Sequence, residues 1–361
     1  MVDLDNFDKI QKRMTALWDR EIIDRCCISV FAYDQQAMQE FYTLPDEKMD
    51  CRYFMTDPEM IRSRHMNLFD KSYYAGEAFP LVNLNMGPSG HTAFVKGVQP
   101  GYSPSTIWYD HIMEHDDELE PKKIVFDEHA YLYEQTFRAA EYLTSHADGR
   151  YMVSMPDVAG NMDALSELRT PTNLLMDLVT EEELVVACLD RIEKIWEHST
   201  KRAYECLKDS CFGGSCIGWL NTWAPGFHNQ MQVDMSVMFS NDYYERYARR
   251  ELERQSGLLD YALYHLDGQE QLRHLDTMLS IDDLKMIQWT NVAGQPSRVQ
   301  FIPEFKRIQK AGKCLLILCE ADEVEPLLEN LSSRGLLLNV KVKSKEEADA
   351  MVKLAEKLTR E

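Results

Sequence analysis

Eight apolar runs of strand length, each separated from the next by a longer segment, constrain this chain more than any other feature. They are CCISVFA (26–32), LVNLNMG (81–87), YMVSMPDV (151–158), SCIGWLN (215–221), LLDYALYHLD (258–267), MIQWTN (286–291), CLLILCE (314–320) and LLLNVKV (336–342). Strands that are almost wholly apolar and alternate with helices pair in parallel and are covered on both faces. Between them, EEELVVACLDRIEKIWEHSTKRAYECLKD (181–209) carries apolar residues at helical spacing. Thr180 and Glu183 read as a capping box at its start. Ser240 or Asn241 would cap the helix that runs into the fifth strand.

Eight such units fit a (β/α)8 TIM-type barrel or a doubly wound sheet. No GxGxxG or GxxxxGK[ST] follows any run, so nothing favours a nucleotide-binding sheet. The expectation is an α/β fold, one (β/α)8 barrel over residues 1–361, a length that barrels absorb as a single domain. The polar-aromatic stretch 33–80 is expected to be an N-terminal helical insertion that caps the barrel or meets a partner. A ninth apolar run, QVDMSVMFS (232–240), is placed in the loop and helix start after the fourth strand.

The formal charge of −21 argues against nucleic acid and against an anionic membrane surface, since both attract basic surfaces. Nine cysteines are scattered without a CxxC, the start MVDLDNFDKI has no apolar leader, and no run approaches the roughly 18–20 residues of a membrane span. The chain is therefore expected in the cytoplasm, with a homodimer left open.

In such barrels the chemistry sits at the C-terminal ends of the strands. Those ends are Ala32–Tyr33, Met86–Gly87, Pro156–Asp157, Asn221–Trp223, His265–Asp267, Trp289–Asn291, Cys319–Glu320 and Lys341–Lys343. Residues two apart on a strand share a face, so His265 and Asp267 project together. Cys319 and Glu320 end a strand at an equivalent height two strands later. His265, Asp267, Cys319 and Glu320 are zinc-type ligands, and a catalytic zinc needs three of them plus an open position. The competing reading is acid–base work by His265 and Asp267, and the plain one is backbone capping at a strand end.

Asp157, closing the third strand, is an N-cap or a substrate ligand and is counted among the catalytic candidates. Asp234 is an acid inside an apolar run and needs a partner or a raised pKa. Trp219, Asn221, Trp223, Trp289 and Tyr109 could line a substrate pocket or pack the wall. Arg169 could bind a carboxylate or phosphate, or make a surface salt bridge. His91 is a weaker loop candidate. His274 and Asp276 repeat the His–Asp pattern, but on the following helix, where structural contacts are expected.

The segments SMPDVAGNMDALSELRTPTNLLMDL, DMSVMFSNDYYERYARRELERQSGLLDYALYHLDG, HLDTMLSIDDLKMIQWTNVAGQP and IPEFKRIQKAGKCLLI resemble the uroporphyrinogen decarboxylase-like superfamily. The resemblance covers roughly residues 150–355 and little of the first 150. It implies a (β/α)8 barrel and one of two chemistries: cofactor-free decarboxylation, or methyl transfer to or from a corrinoid protein or coenzyme M. The methyltransferases use zinc held by a His-x-Cys pair and a later Cys.

CCISVFAYDQQ lacks the arginines with which the decarboxylases hold their substrate. His265 falls at the His of His-x-Cys, Asp267 stands in place of the Cys, and LLLNVKVKS lacks the late Cys. The resemblance thus points to a methyltransferase that demethylates a small compound, such as an aryl methyl ether. The acceptor would be the cobalamin of a separate corrinoid protein, with Zn2+ as the expected metal. The alternative is a metal-independent decarboxylase or other lyase acting on a small carboxylic acid.

Overall fold

A computed structural model describes residues 7–115, 119–158 and 160–360. Residues 1–6, part of the start read above for a leader, lie outside them. The strands are β1 (Cys27–Ala32), β2 (Tyr73–Gly76), β3 (Leu81–Val82), β4 (Pro100–Tyr102), β5 (Ile107–Tyr109) and β6 (Met152–Val153). There follow β7 (Ser215–Ile217), β8 (Thr222–Ala224), β9 (His228–Met231), β10 (Tyr261–Asp267), β11 (Leu284–Thr290), β12 (Cys314–Cys319) and β13 (Leu336–Lys341).

One seven-stranded sheet has the order β2-β1-β13-β12-β11-β10-β9. Every pair in it is parallel except β1 with β2. β3 and β6 form a separate parallel pair, while β4–β5 and β7–β8 are antiparallel hairpins. Met155 N–H donates to the Cys216 carbonyl at 2.9 Å, and the Ser215 hydroxyl donates to the His228 carbonyl at 3.0 Å. These bonds link β6 to β7 and β7 to β9.

The two faces of the sheet follow from the period of two. Leu263, Met286, Leu316 and Leu337 share an inner cluster with Trp18 and Trp223. Tyr264, Ile287, Ile317 and Leu338 face outward into the larger cluster beneath the helices. The lower end is filled by helix α1 (Phe7–Trp18). Trp18 donates its indole N–H to the Trp223 carbonyl at 3.0 Å and meets His228 edge-on at 4.9 Å. The β7–β8 hairpin reaches into the interior, where Asn339 Nδ2 donates to the Leu220 carbonyl at 2.9 Å. Asn221 takes a left-handed φ of 51°, which asparagine tolerates better than most residues. Its amide holds both the N–H and the C=O of Phe79.

The 33–80 segment forms α2 (Gln35–Phe41), α3 (Cys51–Thr56) and α4 (Pro58–Lys71) before β2 adds itself to the sheet edge. The buried Arg25–Glu77 pair, 2.7 Å apart, pins that edge, and Glu77 also accepts the Ile28 N–H.

Ser240 caps its helix as expected, its hydroxyl accepting from Tyr243 N–H. The Thr180–Glu183 capping box does not form. Thr180 ends the helix Pro171–Thr180, with its hydroxyl donating back to the Met176 carbonyl, so Glu181 takes the cap position of Glu182–Leu207. The capping box that does form is Glu320 with Glu323. Among the described residues, no helix is long and apolar enough to cross a membrane.

Candidate functional site

β10 ends on His265 and Asp267, both on the inner face, with His265 Nε2 4.0 Å from Asp267 Oδ1. The chain after β9 brings a third ligand-type residue to them. One donor atom each from Asp234, His265 and Asp267 lies within 4.8 Å of the others, the one such group of three among the described residues.

The neighbours of this trio orient it. His265 Nδ1 is 2.5 Å from Gln288 Oε1, and Gln288 Nε2 donates to Thr290 Oγ1 at 2.7 Å. Because that amide oxygen can only accept, Nδ1 carries the proton and Nε2 is left as a lone pair facing the carboxylates. Asp234 Oδ2 accepts from Gln232 Nε2 at 2.9 Å, while the buried Oδ1 has no hydrogen-bond partner among the described residues. A nitrogen lone pair, an orphaned buried carboxylate oxygen and a second carboxylate, each backed by an amide or a neighbour, form a donor set that fits a catalytic zinc.

Burial, and then the charge of Asp267, pushes the Asp234 carboxyl up from the usual range, while burial lowers His265. Both shifts favour the neutral forms until something compensates the charge. Asp163, absent from the sequence candidates, accepts the backbone N–H groups of Asp234 and Met235 and so fixes the loop that presents Asp234. Asp157 lies next in line. Burial pushes it up to about 7, and Gln230 Nε2 donates to it at 2.8 Å.

Beside the trio, a cavity of about 490 Å³ is lined by Trp219, Asn221, Thr290, Cys319, Glu320 and Lys341 and by the aromatic side chains of the 33–80 segment. Trp219 touches both. Its ring edge meets His265 at 5.0 Å, and its indole N–H donates to Gln230 Oε1.

The remaining sequence candidates do not join the trio. Cys319 is one residue out of phase with the inner-facing Leu318, so it packs in the outer cluster, where burial pushes its thiol up. Glu320 is spent as a helix cap, and neither joins the trio. Trp289 also faces outward, between Gln288 and Thr290, and packs at 4.6 Å on Phe301. Trp223 belongs to the filled lower end, donating to the Cys211 carbonyl. Tyr109 is buried with its hydroxyl on the Met86 carbonyl. Arg169 is a buried structural cation, bonded to Asp177 at 2.7 Å and to the carbonyls of Met113 and His115.

His91 is buried in a 3-10 turn, and burial holds its pKa at about 4. His274 stacks on Tyr244 at 4.1 Å and Asp276 pairs with Arg307, the structural roles expected of them.

No protein-family model and no curated protein matches the chain. Among solved structures, it is similar to a methyltransferase from Methanosarcina mazei, with a TM-score of 0.63 over 96% of this chain and 98% of that one. The two are 11% identical, so what they share is the fold.

Proposed function

We propose that this chain is a methyltransferase that takes a methyl group from a small methylated compound, an aryl methyl ether, and delivers it to the cobalt of a separate corrinoid protein. The observation that carries the reading is the Asp234–His265–Asp267 trio, with its unpartnered Asp234 oxygen, at the C-terminal end of a parallel sheet. These three residues would hold Zn2+. Bound there, zinc would supply Lewis acidity to the leaving oxygen, since two oxygen ligands quench its charge less than thiolates do. Gln288 keeps the His265 tautomer that leaves Nε2 free, Gln232 aims Asp234, and Trp219 packs edge-on against His265 at the cavity wall. The reading also closes the strands into the (β/α)8 ring. The bonds that continue from β9 through β7 to β6 support that closure.

The test combines the purified chain, a reduced corrinoid protein and candidate methyl ethers. The expected result is a change in the cobalt spectrum and near-stoichiometric zinc by elemental analysis. His265→Ala and Asp267→Ala should lose the metal and slow turnover by roughly a thousandfold, about 4 kcal/mol at 1.36 kcal/mol per decade. Absence of metal, together with no spectral change for any donor, overturns the proposal.

Asp157 favours a second reading, a metal-free lyase. A partly exposed carboxyl held near 7 can protonate the carbanion left when a small acid loses CO2. In that case His265→Ala lowers CO2 release from a protein that carries no metal.

A further inference from the structure

The trio does not account for the charges in the neighbouring cavity. Along β13, Leu337 packs in the inner cluster and Asn339 donates inward to Leu220. Lys341, two residues further on, faces the same side and lines the cavity. Among the described residues its ammonium has no ion pair or hydrogen bond. The other charged groups in the wall are Arg298 and Glu320, 3.6 Å apart, and Arg298 is further held by Glu323 at 3.2 Å and the Leu318 carbonyl at 2.9 Å. Lys341, exposed at its end of the strand, is therefore the wall's one cation without a protein partner among the described residues, in a chain whose formal charge is −21.

Beside it stand aromatic rings. Phe31 pairs in register with Lys341, Tyr33 stacks on Phe31 at 5.3 Å, and Tyr74 meets Tyr33 edge-on at 6.1 Å. On the far side is Trp219, against His265. Lys341 and His265 are three strand spacings apart in the order β13-β12-β11-β10, roughly 14 Å along the sheet.

We propose that the cavity binds an aromatic monocarboxylate. Its carboxylate pairs with Lys341, its ring lies against Tyr33 and Tyr74, and its far end is directed at Trp219 and the trio. A single available cation suits a monoanion, because the guanidinium that would clasp a phosphate is already occupied. The inference rests on the methyltransferase reading only for what happens at the far end.

Binding is tested apart from turnover, by titrating the chain with 4-methoxybenzoate and with uncharged 4-methoxybenzamide and following tryptophan fluorescence. The acid should bind saturably and the amide at least tenfold more weakly. Lys341→Met should abolish the difference, and Lys341→Arg should keep it. Equal affinity for acid and amide, unchanged acid binding by Lys341→Met, or no saturable binding of the acid would each overturn the proposal. Saturable acid binding without methyl transfer would leave it standing and count against the methyltransferase reading.

Discussion

The sheet from β9 to β1 and the arc from β3 to β7 build the same surroundings by opposite means. In the first, β10 and β11 run seven residues each, and side chains are aimed by strand period. In the second, β3 and β6 pair over two residues each, and loops, short helices and buried polar bonds do the positioning. His265, Gln288, Asn339 and Lys341 come from the regular part. Asp157, Asp163, Asp234 and Trp219 come from the irregular part or the loops beside it. Half of the site is thus set by backbone geometry and half by individual hydrogen bonds, so the two halves should fail differently when mutated.

The largest contrast is expected from Arg169. Arg169→Ala should destabilise the chain by about 3–5 kcal/mol in urea unfolding, because it leaves Asp177 as an uncompensated buried charge and frees the carbonyls of the 113–115 turn. A loss below about 1 kcal/mol, the range of exposed ion pairs, would show that the irregular arc does not depend on such anchors.

Next comes Gln288→Leu in the regular half. The strand should persist with little change in stability, while zinc affinity falls roughly 10–100-fold as His265 loses the partner that fixes its tautomer. Unaltered zinc affinity in competition with a chelator dye would remove Gln288 from the site.

The smallest effect is the pH dependence of the metal-free chain. Asp157, Glu167 and Glu193 are each pushed by burial to about 7, so between their unfolded values and 7 the folded state binds more protons. Their contribution to stability therefore grows as pH falls from 8 to 6.5. His65, His91 and His228 are held neutral by burial, at about 3, 4 and 4, and lose stability as pH falls below 6.5. Tm should rise by a few degrees from pH 8 to 6.5 and flatten below that. Asp157→Asn should reduce the rise, and a Tm that falls over the same interval would contradict the placement of these acids.

Much of the regular half was legible in the sequence. All eight apolar runs contain a strand, though the second and third keep only two paired residues each. The spacing of two put His265 and Asp267 on one face. Equivalent height at a strand end suggested Cys319 as their companion, although Leu318 holds the inner phase. β9 has no apolar signature, because His228, Asn229 and Gln230 are polar residues that the fold nevertheless buries. Gln288 and Asp163 escaped because an amide or a carboxylate that orients another residue has no pattern of its own.

The alternation of strand and helix, the acidic composition and the His–Asp pair are local properties, because they depend on neighbours along the chain. Long-range packing brings Asp234 to that pair and leaves Cys319 and Glu320 out of it. The same folding left Arg169 an internal anchor and Lys341 the uncompensated cation of the cavity. Convergence of side chains separated by tens of residues depends on sheet curvature and loop course, which local spacing does not encode.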